Sequence, residues 1–221
     1  MIVLHGFPFS NYYNMVKHAL LFKAVPFREQ LAYPFSAEIQ AVSPLGKVPA
    51  ITSLRGEQIA ESSVILDYLE EVYPTPALYP EHPEDRAQVR QLARIAEHYL
   101  ELSCRRLLPA IFSNASMADE TIGEVRAILH RGVSAIDRLA RFEPYVLGSR
   151  LTVADIVLRY SLVVPRAVAR LLEGDPLSGI GGLAPWEAMM AAQDISQSID
   201  AAQRADAAPF MAHIARLRAT G

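Results

Sequence analysis

The pattern of this chain changes near residue 73, and that change constrains the fold more than any other feature. Before residue 73, short apolar runs typical of strands alternate with segments in which apolar residues recur at helical spacing. Four prolines then fall within 74–83, and the remaining residues show helical periodicity only. Because proline is excluded from helix interiors and central strands, we predict two domains, 1–73 and 84–221, joined by a linker over 74–83.

The first domain is predicted to follow the order βαβαββα. Its strands are expected at 2–4, 26–31, 50–54 and 58–60, and its helices at 11–24, 36–41 and 62–72. Short strands and helices in this order are typical of a small α/β sandwich.

The second domain is predicted to be all α. Its apolar residues mark one long amphipathic helix over 89–107 and another over 122–139, which are expected to pack as a pair. Thr152 and Asp155 have the spacing of a capping box, and Pro165 is expected to kink or end the helix that follows. Further short helices are expected near 186–193, 195–205 and 210–217.

Composition argues against several classes of function. The chain has 221 residues, of which 51% are hydrophobic and 20% charged, so it can bury a sizeable core. The net charge of -3 and the lack of a basic block argue against nucleic acid or a membrane as the main partner. Its histidines are too scattered to suggest a metal site. The single Cys104 and the lack of a signal-peptide pattern favour the cytoplasm.

Two short stretches suggest a binding site. A proline at position 49 removes one donor at the start of a strand and leaves the N–H and C=O of Val48 free for an extended ligand backbone. We predict that this Val48–Pro49 bond is cis. Glu61 and Ser62 open a helix, whose N-terminal N–H groups and partial positive charge can hold a carboxylate. Taken separately, an ordinary turn and an ordinary helix cap explain these stretches as well.

Taken together, the Val-Pro bend, a short strand, a Gly-bearing turn, a second strand and the Glu-Ser-capped helix resemble the glutathione site of the glutathione S-transferase superfamily. The resemblance extends over nearly the whole chain. It implies an α/β plus all-α protein, with a thioredoxin-like N-terminal domain and an all-helical C-terminal domain, assembled as a homodimer. It also implies glutathione as co-substrate, no metal, and transfer of glutathione to a small electrophile bound between the domains, as in detoxification.

The same resemblance implies roles for individual residues in binding glutathione. Val48 would pair its backbone with the cysteinyl part, and Pro49 would hold the bend. Glu61 would accept from the γ-glutamyl ammonium, and Ser62 would donate to the α-carboxylate at the helix start. Lys47 would face the glycyl carboxylate, although a solvated lysine fits the sequence equally well.

Catalysis requires a thiolate, and the thiol of glutathione resembles that of cysteine, whose pKa is about 8.5. A helix N-terminus with a hydroxyl can stabilise the anion. Ser10 resembles the serine of serine-type transferases, such as the phi, delta and theta classes, and is predicted to be that group. Asn11 is a second candidate for contact with the thiolate, and Tyr12 and Tyr13 are a third. A helix cap without a catalytic part is the alternative for Ser10.

Other activities stay open on the same fold. This loop contains no cysteine, which argues against thiol exchange, and zeta-class isomerases have Ser-Ser-Cys where this chain has Ser10, Asn11 and Tyr12. The alternatives are a glutathione-dependent peroxidase, isomerase or dehalogenase, or a non-catalytic binding protein of this fold. Residues on or just after the first long helix are candidates for contact with the second substrate: His98, Leu102, Cys104, Arg105, Arg106 and Phe112.

Overall fold

The structure, a computed structural model, describes residues 1–113 and 115–220, and the side chains up to residue 217. The chain forms two compact units. The first unit contains Met1–Leu78 and the chain from Ala191 onward, and the second unit contains Tyr79–Met190. These units differ from the predicted domains, because the C-terminal helix belongs with the sheet. The boundaries at 73 and 84 stay a prediction.

A four-stranded mixed sheet is the centre of the first unit. Its strands are β1 (Ile2–Gly6), β2 (Phe27–Leu31), β3 (Ala50–Thr52) and β4 (Gln58–Ala60), in the order β2-β1-β3-β4. β2 is parallel to β1, whereas β3 is antiparallel to both β1 and β4. Three helices follow the predicted order: α1 (Asn11–Phe22), α2 (Ala37–Gln40) and α3 (Ser62–Val72). The predicted thioredoxin-like order βαβαββα is therefore confirmed.

A buried ion pair joins α1 and α3 to the chain that follows them. The ammonium of Lys23 donates to the carboxylate of Glu70 at 2.6 Å and to the carbonyl oxygens of Tyr73 and Pro76 at 2.7 and 2.8 Å. The N–H of Leu78 donates to the same carboxylate. All three ammonium donors are thus used, which is the condition under which a buried lysine is tolerated.

The second unit consists of helices. These are α4 (Pro83–Ile95), a π-helical segment (Ala96–Glu101), α5 (Leu102–Arg105), α6 (Leu108–Ser113), α7 (Asp119–Leu139), α8 (Val153–Ser161), α9 (Val163–Ala167), a 3₁₀ turn (Ala169–Leu172) and α10 (Leu183–Ala191). The first predicted long helix therefore contains a π segment, which its periodicity did not indicate. At Gly132 of α7, a Cβ would lie 2.6 Å from the Cβ of Tyr99, so only glycine permits the close approach of α7 to this segment.

The predicted capping box at α8 is confirmed. The Asp155 carboxylate accepts from the Thr152 N–H at 2.9 Å and also from the N–H of Val146 and the indole N–H of Trp186. α8 ends at Ser161, four residues before Pro165, whose ring would clash with the carbonyl group at that position.

The prediction of two short helices at 195–205 and 210–217 is wrong. A single helix, α11 (Asp194–Thr220), spans both segments and contains Pro209. The proline removes one backbone hydrogen bond, but Ile199 and Phe210 on either side of it are buried. Tertiary packing of the apolar face thus outweighs the local helix-breaking signal. No helix within the described residues has both the length and the hydrophobicity to cross a bilayer.

Candidate active site

The strand register brings the predicted site segments to one edge of the sheet. His5 lies opposite Ala50, and Ala50 lies opposite Ala60. Hence the chain leaves β1 towards Ser10, enters β3 from Val48 and leaves β4 towards Glu61, all at the same end of the sheet. Strands that end together place their following loops side by side, as the proposed site requires.

The Val48–Pro49 bond is cis, as predicted. The side chain of Val48 packs against a small apolar cluster formed by Ala32, Ile39 and Ala50. Within the described residues, neither the N–H nor the C=O of Val48 forms a backbone hydrogen bond. The side chain is thus anchored while the backbone groups stay available to a ligand.

The chain before this bend makes a tight turn at Gly46. Gly46 has φ +61°, and a Cβ there would lie 3.2 Å from the ring of Phe35, whose N–H donates to the Gly46 carbonyl at 2.7 Å. Lys47 follows this turn and is exposed. It forms no ion pair or hydrogen bond within the described part of the chain.

Glu61 and Ser62 occupy the start of α3. Glu61 is exposed and has φ 68° and ψ 115°, an unusual conformation for a non-glycine residue. Such strain costs about 1–3 kcal/mol and occurs often at ligand sites. Ser62 is only 6% exposed, yet its hydroxyl has no partner among the described residues. Among the described residues, no side chain caps α3, so the donors of its first turn are available to an anionic group.

Ser10 is the N-cap of α1. Its Oγ accepts from the Tyr13 N–H at 3.3 Å, and its C=O accepts from the Asn14 N–H at 3.0 Å. A hydroxyl has one donor in addition to its acceptor lone pairs. The Ser10 O–H donates to no group among the described residues. Ser10 can therefore cap α1 as an acceptor and donate to a thiolate at the same time.

The structure argues against Tyr13 as the group that holds the thiolate. Its hydroxyl donates to the carboxylate of Glu29 on β2, which also pairs with Lys17 at 2.8 Å. Burial and this hydrogen bond raise the pKa of Tyr13 far above its ordinary value. Asn11 is buried beside Ser10 and Tyr12 is half-buried, so both stay candidates.

The candidates for the second substrate lie in the π segment and the helices after it. Arg105 pairs with buried Glu101, and Arg106 pairs with Glu124 at 2.8 Å. Burial raises the pKa of the Cys104 thiol to about 12, which indicates a structural thiol. The exposed side chains His98 and Leu102 stay candidates, as does half-buried Phe112. Within the described residues, no group of three or more His, Cys, Asp or Glu side chains could hold a metal ion.

Sequence analysis missed the contact of α11 with the Ser10 loop. The Phe9 N–H donates to the Asp206 carboxylate at 3.0 Å, and Phe210 stacks on Phe7 and Phe9. No local sequence pattern predicts this contact, because the two hydrogen-bonded residues are 197 positions apart.

Comparison with known proteins agrees with the fold. The N-terminal domain family of glutathione S-transferases matches residues 4–77. A glutathione S-transferase of Pseudomonas putida is 42% identical to the chain over 171 residues, with 77% of each covered. The chain therefore belongs to the glutathione S-transferase family and is one of its enzymes.

Two further proteins illustrate the range of this family. A maleylacetoacetate isomerase of Pseudomonas aeruginosa is 32% identical over 122 residues, which cover 53% of this chain and 56% of the relative. A glutathione S-transferase of Methylobacterium radiotolerans, solved in complex with glutathione sulfonate, has a TM-score of 0.74 and 23% identity over 89% of this chain and 93% of its own. The serine-type class stays a prediction.

Proposed function

We propose that this enzyme transfers glutathione to a small electrophile, with glutathione held along the sheet edge and its thiolate beside Ser10. One observation carries the proposal: three segments at one end of the sheet present polar groups with no partner among the described residues. These groups are the O–H donor of Ser10, which has no acceptor within the described part of the chain although its Oγ accepts from the Tyr13 N–H, the hydroxyl of Ser62, and the backbone N–H and C=O of Val48.

The groups at this edge match the chemistry of a γ-glutamyl tripeptide. The Val48 backbone can pair with the cysteinyl residue as one more strand would, and Pro49 has no N–H to compete. The α-carboxylate would lie at the start of α3, where Ser62 and the helix dipole favour an anion. The Glu61 carboxylate would accept from the ammonium, and exposed Lys47 would attract the glycyl carboxylate.

Ser10 would act on the thiol. Its O–H would donate to the sulfur anion, which favours the ionised form and releases the thiol proton to solvent. Asn11 would bind beside it. The sulfur then forms a carbon–sulfur bond, and the displaced electron pair leaves with the leaving group or moves into the acceptor of an addition substrate. Orientation of the electrophile next to the anion supplies the remaining acceleration.

A second candidate function is isomerisation of a maleylacetoacetate-like substrate. It is favoured by the relatives that carry that name, including the Pseudomonas aeruginosa protein. The loop argues against it, because Ser10, Asn11 and Tyr12 replace the Ser-Ser-Cys of the zeta class. Rates measured with chloronitroaromatic electrophiles, hydroperoxides and maleylacetoacetate would separate transfer, peroxide reduction and isomerisation.

The proposal includes a cytoplasmic homodimer that acts in detoxification. It is supported by the family resemblance and by a single buried thiol that needs no disulfide partner. Light scattering of the purified protein tests the dimer, and twice the 24.4 kDa chain mass is expected.

Replacing Glu61 or Ser62 by alanine is expected to weaken glutathione binding by about 1–3 kcal/mol. Each change removes a charge-assisted hydrogen bond in a partly dry site. Calorimetry on folded protein measures the effect, and Ser63→Ala in the same helical turn is the matched control. Unchanged affinity in both site variants would mean that the γ-glutamyl end binds elsewhere or that glutathione is not the ligand.

A further inference from the structure

The last helix holds the backbone of the residue directly before Ser10. The N–H of Phe9 donates to the Asp206 carboxylate at 3.0 Å, and the Gln203 amide lies 3.5 Å from the Phe9 carbonyl oxygen, at the limit of a hydrogen bond. Both contacts lie within the first compact unit. The backbone before Ser10 therefore depends on a helix that follows it by nearly 200 residues.

Aromatic side chains extend this contact. The buried ring of Phe210 stacks on Phe7 and Phe9, with centroid distances of 5.0 and 4.9 Å. One turn later, the ring of His213 stacks on Tyr33, which follows β2, at 4.0 Å. α11 thus contacts both ends of the segment 7–9 and the neighbouring loop at the same sheet edge.

This contact fixes the backbone directly before the cap residue Ser10. Ser10 has φ −77° and ψ 120°, so it lies outside the helix that it caps, and the dihedral angles of Phe9 set where the cap is placed. Within the loop, the Ser10 N–H donates to the Phe7 carbonyl oxygen, and the Asn14 amide donates to the Pro8 carbonyl oxygen. A misplacement of about 1 Å in a catalytic group can cost on the order of 100-fold in rate.

We propose that Asp206 and Phe210 are positioning residues, through which α11 holds the Ser10 hydroxyl in its catalytic place. The proposal rests on the proposed role of Ser10. In this proposal Asp206 acts as the hydrogen-bond acceptor of the Phe9 N–H, and its negative charge is not required.

The electrostatics support a role for Asp206 as an acceptor and not as a charge. Burial is the largest cause that raises the pKa of Tyr33, and the Asp206 carboxylate raises this pKa further. Asp206 also contributes to raising the pKa of Tyr13. A carboxylate near the site would disfavour a thiolate in the same way. The benefit of Asp206 must therefore come from the bond to Phe9, and an uncharged acceptor should serve as well.

Asp206→Ala is expected to lower kcat/KM roughly tenfold, because it removes one hydrogen bond that holds the backbone before Ser10. It is also expected to raise the pKa of the thiol of bound glutathione. Asp206→Asn is expected to recover most of this loss, because its amide oxygen can accept from the Phe9 N–H. Exposed Arg204, two residues away, forms no described contact, and Arg204→Ala is the control. Phe210→Leu keeps an apolar side chain without the stacking and provides a second variant, should Asp206→Ala fail to fold.

Hydrogen exchange of the peptide that contains Phe9 gives a readout independent of activity. Loss of protection in Asp206→Ala, together with a raised thiol pKa and rescue by Asp206→Asn, supports the proposal. Loss of protection in Asp206→Ala without a change in thiol pKa or rate overturns the proposal. In that case the proposed function still holds if Ser10→Ala raises the thiol pKa and lowers the rate. Equal losses in Asp206→Asn and Asp206→Ala overturn it too, since charge would then be what matters. If Ser10→Ala changes neither quantity, the proposed function fails and this inference fails with it.

Discussion

Ser10→Ala is expected to lower kcat/KM by roughly tenfold to a hundredfold, with little change in glutathione affinity. One hydrogen bond to an anion contributes about 1.5–3 kcal/mol, and the Ser10 hydroxyl would donate it only to the ionised thiol. Steady-state kinetics with an electrophile at saturating glutathione measure the loss. An effect on the rate without an effect on affinity distinguishes a group that acts on the anion from one that binds the tripeptide.

Matched variants separate the two roles of Ser10. Loss of its cap on α1 should also cost about 0.5–2 kcal/mol of stability, which a denaturation curve reports apart from the rate. Ser10→Thr keeps both the hydroxyl and the cap and should retain most of the activity. If Ser10→Ala keeps its rate whereas Asn11→Ala or Tyr12→Phe loses it, the thiolate is held by that residue.

Glu70→Ala is expected to lower the free energy of unfolding by about 3–5 kcal/mol, the typical cost of breaking a buried ion pair. The Lys23 side chain has no exposed surface and that of Glu70 is 8% exposed. Removing the carboxylate would leave the ammonium buried with two carbonyl groups only and would take the acceptor from the Leu78 N–H. Urea denaturation followed by circular dichroism measures the change.

Glu124→Ala is the matched control for this variant. It removes the carboxylate of the Arg106–Glu124 pair, whose side chains are 44% and 57% exposed. Exposed pairs of this kind contribute about 0–1 kcal/mol. Equal losses in Glu70→Ala and Glu124→Ala would show that the buried pair does not hold α1, α3 and the following chain together.

The features that the sequence predicted well are those with a local chemical cause. A proline at a strand start indicated the bend at Pro49, and a hydroxyl three residues before a carboxylate indicated the cap of α8. Alternation of apolar runs predicted the element order βαβαββα, whereas the sheet edge that gathers Ser10, Val48 and Glu61 follows from the strand register of the folded chain.

The features that it missed depend on distant residues. The orientation of Tyr13 follows from Glu29 on a neighbouring strand, and the positive φ of Glu61 has no marker in a non-glycine residue. The last helix continues through Pro209, because the burial of Phe210 against Phe7 and Phe9 outweighs the lost backbone hydrogen bond. Contacts of this range leave no periodic pattern, so only the folded chain reveals them.

Titration of the thiolate of bound glutathione, followed by its ultraviolet absorbance against pH, tests the central claim most directly. The wild-type enzyme is expected to bind glutathione with a thiol pKa well below the value of about 8.5 for an unperturbed cysteine thiol, and Ser10→Ala is expected to raise it again. A bound thiol that titrates like free glutathione in the wild-type enzyme, or equally in the wild type and Ser10→Ala, would contradict thiolate activation by Ser10.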